Sequence, residues 1–194
     1  FLSYSYYAQT VTTVFMALFG VNFSIYFFLL RRKFDLVWKN TELRWYLGLI
    51  FGAIAVITVN TLSYYPRVYD AIHHAAFAVS SIITTTGYGT VDFNLWPELS
   101  RVILVFLMII GACAGSTGGG LKVSRLIILF RAARAEIHRL LHPHTVKVMQ
   151  MDGKPISRES IRSVSTYLIL YVFLVMASVL LVSLDNFDGS TTLT

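Results

Sequence analysis

The sequence predicts an all-α integral membrane protein, because its composition, its apolar runs and its charge distribution all favour that class. Hydrophobic residues make up 56% of the 194 residues, whereas charged residues make up only 13%. A soluble domain carries about 25% charged residues, so this chain has too few to cover a surface that faces water. The same high hydrophobicity excludes an intrinsically disordered chain.

The first two predicted membrane spans are residues 10–30 and residues 45–62. Each is about the 20 residues that cross a hydrocarbon core of roughly 30 Å. The connection between them is basic, and its charged members are Arg31, Arg32, Lys33, Lys39 and Arg44. Lys and Arg concentrate on the cytoplasmic side of a membrane, so this connection is predicted to be cytoplasmic. The net charge of +6 therefore reflects topology, and we expect no nucleic-acid partner.

The third predicted crossing has two unusual features. Residues 71–83 are apolar but number only about 13, which is too few to cross, so this segment is predicted to be re-entrant from the outside. Residues 98–142 would extend about 67 Å as one helix, roughly twice the bilayer core. Their middle is rich in glycine between Gly111 and Gly120. Because glycines at this density break a helix, we predict a helix, a glycine loop and a second helix.

The last predicted elements follow a basic cytoplasmic stretch. Residues 144–155 contain Val146, Val148 and an Asp152-Gly153 pair, which predict a small β-hairpin with a tight turn. Residues 161–184 form the fourth predicted span, with Ser157 as the candidate N-cap.

The segment with the clearest chemistry is residues 80–90, Ser-Ser-Ile-Ile-Thr-Thr-Thr-Gly-Tyr-Gly-Thr. Backbone that is neither helix nor strand at membrane depth must be buried in protein or face water. Stacked carbonyl oxygens of such backbone can replace the hydration shell of a cation. Gly87 and Gly89 are expected to supply the left-handed dihedrals that turn successive carbonyls one way. The alternative is a plain outer loop that follows a hydrophobic plug.

The glycine loop before Lys122 has three possible roles. A phosphate-binding loop is disfavoured, because Leu121 precedes Lys122 and Val123 follows it, whereas a Walker loop needs Gly before Lys and Ser or Thr after it. A close-packing helix face is the second possibility. The third is a flexible loop across a pore, in which Lys122 either raises the barrier for cations or extends to the cytoplasm.

These segments resemble a known family. Residues 85–89, Thr-Thr-Gly-Tyr-Gly, are similar to the potassium-channel filter T-V-G-Y-G, with Thr in place of Val. The longer strings at residues 84–97 and 111–122 resemble the Trk/Ktr/HKT potassium transporters, most closely their bacterial TrkH/KtrB branch. Members of that family carry four repeats in one chain, each a helix, a pore loop and a helix. A glycine-rich break in the third repeat's inner helix forms their gating loop.

The resemblance implies a domain organisation for a truncated chain. It makes residues 1–43 the inner helix of the second repeat with a cytoplasmic linker, and residues 44–142 the complete third repeat. Residues 143–157 would be the cytoplasmic hairpin, and residues 158–194 the truncated outer helix of the fourth repeat. The implied fold is therefore a set of potassium-channel-like helix–pore-loop–helix repeats.

The resemblance also implies the functional residues and partners. The potassium-binding filter would be Thr85, Thr86, Gly87 and Tyr88. The gating loop would comprise Gly115, Ser116, Thr117, Gly118, Gly119, Gly120 and Lys122. Potassium would be the transported ion, with no organic cofactor, and the protein would be a homodimer surrounded by membrane lipid in the bacterial cell membrane. Its cytoplasmic partner would be a nucleotide-binding regulatory subunit of the TrkA/KtrA type.

Two other functions remain open from the residues themselves. One is a tetrameric two-helix potassium channel, although a single filter here is accompanied by extra spans on both sides. The other is a membrane-embedded enzyme or assembly subunit. The predicted spans contain no acidic residue, and Cys113 has no nearby base, so we expect no enzymatic activity.

Overall fold

The computed structural model describes residues 1, 3–142 and 150–184, and most of these residues are α-helical. Two compact units divide the chain, Phe1–Ser124 and Arg125–Thr194. The helices are α1 (Tyr6–Phe19), α2 (Phe23–Leu30), α3 (Phe34–Lys39), α4 (Thr41–Thr61), α5 (Val68–Ile83), α6 (Glu98–Ile110), α7 (Val123–Leu141) and α8 (Arg158–Ser183). The two strands are β1 (Gln150–Met151) and β2 (Lys154–Pro155), and short 3-10 turns occur at Leu62–Tyr64 and Phe93–Leu95.

The predicted span over residues 10–30 is bent. The segment forms α1 and α2, which meet at an angle of 92°. Helix α1 ends at Gly20, and the Asn22 side chain starts α2 by accepting a hydrogen bond from Ser24 N at 2.9 Å. An Asn cap of this kind satisfies an N–H group at the start of α2, so it favours the start of a new helix here.

Helix α5 is the centre of the first unit. It packs against α1, α4 and α6, and Ala75, Phe77 and Val79 on it are fully buried. Its 16 residues extend only about 24 Å, less than the hydrocarbon thickness. Residues 71–83, which the sequence predicts to be too short to cross, lie within α5, and this helix ends at Ile83 with Thr84 as its C-cap.

Two helices are long and apolar enough to cross a membrane among the described residues, and the bent pair α1–α2 would be a third candidate. They are α4, extended to Tyr64, and α8. The predicted break in the third crossing is confirmed. Helix α6 has only 13 residues because it stops at Gly111, where φ is +71°. The glycine loop therefore interrupts the chain after α6, before α7 begins at Val123.

The predicted hairpin is confirmed at its turn. Strands β1 and β2 pair antiparallel, with Gln150 opposite Pro155. Asp152 and Gly153 both have positive φ, 52° and 76°, as a type I′ turn requires. Residues 143–149, which the hairpin prediction also included, lie outside the described residues. The Ser157 cap is confirmed as well, since its hydroxyl accepts from Ser160 N at 3.1 Å.

A hydrogen bond between α4 and α6 gives a stability prediction. Ser100 is fully buried, and its Oγ donates to Asn60 Oδ1 at 2.8 Å. Such bonds between membrane helices contribute about 0.6 kcal/mol on average and up to about 1.7. We expect Ser100→Ala to lower the free energy of unfolding by about 1 kcal/mol, measured as a lower Tm in detergent. Ser178→Ala is the matched control, because that exposed hydroxyl bonds within its own helix to Leu174 O. Equal shifts in both variants would contradict the prediction.

Candidate functional site

The segment after α5 directs its N–H groups back into the end of that helix. Thr85 N donates to Ile82 O at 3.0 Å, and Thr86 N donates to Ser81 O at 2.8 Å. Gly87 N also points at Ser81 O, at 3.5 Å. The carbonyl oxygens of residues 85–88 accept no hydrogen bond from the described part of the chain. These four residues are exposed.

The dihedrals of this segment differ from the sequence expectation. Positive φ occurs at Thr85 (56°) and Gly87 (79°), and not at Gly89. A β-branched residue is strained there, at a cost of about 1–3 kcal/mol, so something must hold Thr85 in place. Its own side chain supplies part of that constraint, because Thr85 Oγ1 accepts a hydrogen bond from Gly119 N at 2.8 Å.

The glycine loop comprises residues 111–122, and its two ends are hydrogen-bonded close together. Leu121 N donates to Ile109 O at 3.1 Å, and Lys122 N donates to Ile110 O at 2.8 Å. The two ends of the loop lie so close that a Cβ built on Gly111 would be 2.2 Å from Gly119 O. Only glycine therefore fits at residue 111. The loop begins at the end of α6 and returns to nearly the same place before α7 begins.

The loop occupies the break between α1 and α2. Cys113 N donates to Gly20 O at 3.0 Å, and Phe23 N donates to Gly115 O at 3.1 Å. Thr117 Oγ1 adds a bond to Phe19 O at 3.3 Å. Backbone groups that a bent helix leaves unpaired at membrane depth need such partners. Sequence reasoning missed this contact, and its only signal was Gly20 and Asn22 within an otherwise apolar run.

The loop also contacts the base of the segment at residues 84–88. Besides the bond from Gly119 to Thr85, Gly118 packs directly against backbone. A Cβ built on Gly118 would be 2.8 Å from Ala112 Cβ and 3.3 Å from Thr84 O. The structure therefore brings the predicted filter residues and the predicted gating residues together in one site.

The Lys122 side chain folds back onto the glycine loop. Its backbone has a φ of +76°, and its Nζ donates to Gly118 O. The ammonium group is thus directed back into the loop. Ser116 Oγ also bonds within the loop, to Cys113 O at 2.6 Å.

Two buried histidines on α5 make hydrogen bonds at the Thr90 end of the segment and to α1. His74 Nδ1 lies 3.0 Å from Thr90 Oγ1, just beyond the exposed carbonyls. His73 Nε2 lies 2.7 Å from Gln9 Oε1 of α1. Among the described residues, no group of three or more His, Cys, Asp or Glu side chains could hold a metal ion. His74 thus connects α5 to the end of the segment, and His73 connects α5 to α1.

Comparisons with known proteins point to one family of transport proteins. The sequence model of the TrkH family, described as cation transport protein, matches residues 1–193. The chain is 32% identical to the Trk system potassium uptake protein TrkH of Escherichia coli K12, over 93% of the chain and 39% of that protein. It is 29% identical to the Trk system potassium uptake protein TrkG of the same strain, over 96% of the chain and 39% of that protein.

A solved structure shows the same fold. The crystal structure of the potassium transporter TrkH from Vibrio parahaemolyticus matches 97% of this chain with a TM-score of 0.86 at 29% identity. The match covers 42% of that protein. The chain therefore spans about two fifths of the length of these relatives.

Proposed function

The chain belongs to the TrkH family of cation transport proteins, and from that premise we propose that it forms part of a potassium-conducting pore in a bacterial cell membrane. The relatives named above are potassium uptake proteins. Residues 44–142 would form one complete helix–pore-loop–helix repeat, with residues 1–43 and 158–194 belonging to the repeats on either side. The pore then includes parts of the protein beyond this chain.

The observation that carries the proposal is the set of exposed residues after α5 whose carbonyls accept no hydrogen bond from the described residues. Thr85, Thr86, Gly87 and Tyr88 would present these oxygens to a potassium ion that has shed its water. The C-terminal end of α5 adds a partial negative charge directed at the same place. Selectivity would arise from these carbonyls together with those of the other repeats.

The glycine loop would be the gate below this filter. Its hydrogen bond to Thr85 and its close approach at Gly118 support a closed position directly under the carbonyls. The Lys122 ammonium, bonded to Gly118 O, would add a positive charge that opposes cation passage in that position. Movement of residues 115–120 with Lys122 would then open the pathway.

We further propose that the protein is a homodimer that works with a cytoplasmic nucleotide-binding subunit of the TrkA/KtrA type. The segment at residues 144–155, whose described part is the β1–β2 hairpin, and the basic end of α7 are the candidate docking surfaces. Support for a partner subunit comes from the names of the relatives, which describe components of a Trk system.

Rubidium flux through the full-length protein in proteoliposomes tests the proposed transport function. Rubidium is a close chemical substitute for potassium, so we expect uptake that potassium suppresses and sodium at the same concentration does not. Liposomes without protein are the control. Equal suppression by sodium, or no flux of any monovalent cation, would contradict the proposal.

A further inference from the structure

The buried carboxylate of Glu42 accepts hydrogen bonds from three segments: the glycine loop, the start of α7 and the break between α1 and α2. Glu42, in the first turn of α4, is only 4% exposed. Its Oε1 accepts from Ala114 N at 2.6 Å and from Ser124 N at 3.2 Å. Its Oε2 accepts from Asn22 Nδ2 at 3.5 Å. The same side chain thus contacts the loop, the first turn of α7 and the break between α1 and α2.

These donors are what make a carboxylate acceptable at this position. A buried charge must be hydrogen-bonded or paired, and no Lys or Arg forms an ion pair with Glu42 in the described part of the chain. Ser124 N is one of the N–H groups that a helix leaves unpaired at its start, and an anion is favoured there by the helix dipole. Hydrogen bonds to a charged acceptor are roughly twice as strong as neutral ones.

From this geometry we infer that Glu42 is a positioning residue that latches the glycine loop in its closed arrangement. The inference rests on the proposed function of the loop as a gate. Opening the loop moves Ala114 N away and leaves a buried carboxylate short of a donor, so the carboxylate opposes opening. Glu42 is not an ion ligand in this arrangement, because its oxygens already face the three donors.

Asn22 completes the latch from the other side. Its Oδ1 caps α2 through Ser24 N, while its Nδ2 donates to Glu42. A Cβ built on Gly115 would lie 3.2 Å from Asn22 Oδ1, so the loop also packs against this amide. Asn22→Asp keeps the cap and replaces the donor with a second negative charge, which repels Glu42 without altering it.

The test measures loop position and flux separately in the full-length protein. Cys113 lies in the loop, is fully buried and can report opening through its reaction with a methanethiosulfonate reagent. We expect Glu42→Gln and Asn22→Asp each to speed this labelling about tenfold, the effect of weakening one charge-assisted hydrogen bond. Rubidium flux in proteoliposomes should rise in the same two variants.

Glu136→Gln, which neutralises an exposed carboxylate on α7, is the matched control and should match wild type. Cys113→Ser identifies the labelled site.

The outcomes distinguish the proposed role of Glu42, which is to hold the loop closed, from the proposed role of the loop as a gate. Labelling at the wild-type rate in both variants would overturn the latch, while a rise in flux on loop deletion would still support the gate. Faster labelling with unchanged flux would support the latch and overturn the gate. If Glu42→Gln fails to fold, Asn22→Asp alone decides the question, since its own cap to α2 is retained.

Discussion

Removing residues 112–119 is expected to raise rubidium flux through the full-length protein by between about tenfold and 1,000-fold. A gate whose open state is populated at about 0.1–10% limits flux by that factor. The deletion is structurally feasible because the two ends of the loop lie close together. A Cβ built on Gly120 would be 2.9 Å from Gly111 Cα, so the two ends can be joined with little movement of α6 or α7.

The Tm in detergent is the control for this deletion, because the loop also fills the break between α1 and α2. A cooperative transition near the wild-type Tm would show that the remaining helices still pack. A flux at or below wild type in such a folded protein would contradict the gating role. The bonds from Cys113 and to Gly115 at the break are lost in the deletion, so a modest decrease in Tm is expected.

Gly87→Ser is expected to reduce the preference for potassium over sodium at least tenfold while leaving substantial cation flux. Gly87 has a φ of +79°, and a Cβ built there meets no atom within 4 Å. The new side chain therefore fits, but the left-handed backbone costs about 1–2 kcal/mol with any side chain. Relief of that strain turns the neighbouring carbonyls, and selectivity depends on their number and position.

Gly89→Ser is the matched control for this substitution. Gly89 lacks a positive φ, and its built Cβ would make an ordinary contact of 3.5 Å with Val91 O. The loss of preference should therefore be much smaller than at Gly87. Measuring rubidium uptake against potassium and sodium for both variants decides the matter. Equal losses at the two positions would show that the left-handed dihedral at Gly87 is not what sets the carbonyls.

The sequence was informative where a single physical constraint decides the outcome. The length of residues 71–83 is too small for a crossing, and α5 is short and ends at Ile83 as expected. The excess length of residues 98–142 and its glycines predicted the break that occurs after Ile110. In both cases the bilayer thickness fixes what a helix of a given length can do.

The sequence was uninformative where a distant partner decides the local structure. Residues 10–30 have the composition of a simple span, and the bend between α1 and α2 depends on backbone bonds to Cys113 and Gly115. The positive φ at Thr85 similarly depends on Gly119. Glu42 has no local signal, because its donors lie 20 to 82 residues away along the chain.

The most direct test of the central claim is the position of the ion. Crystals of the full-length protein grown with rubidium would locate it by anomalous scattering. We predict rubidium density facing the carbonyl oxygens of Thr85, Thr86, Gly87 and Tyr88, above the glycine loop. Rubidium density elsewhere in the molecule, with none at these carbonyls, would contradict their assignment as the potassium-binding filter.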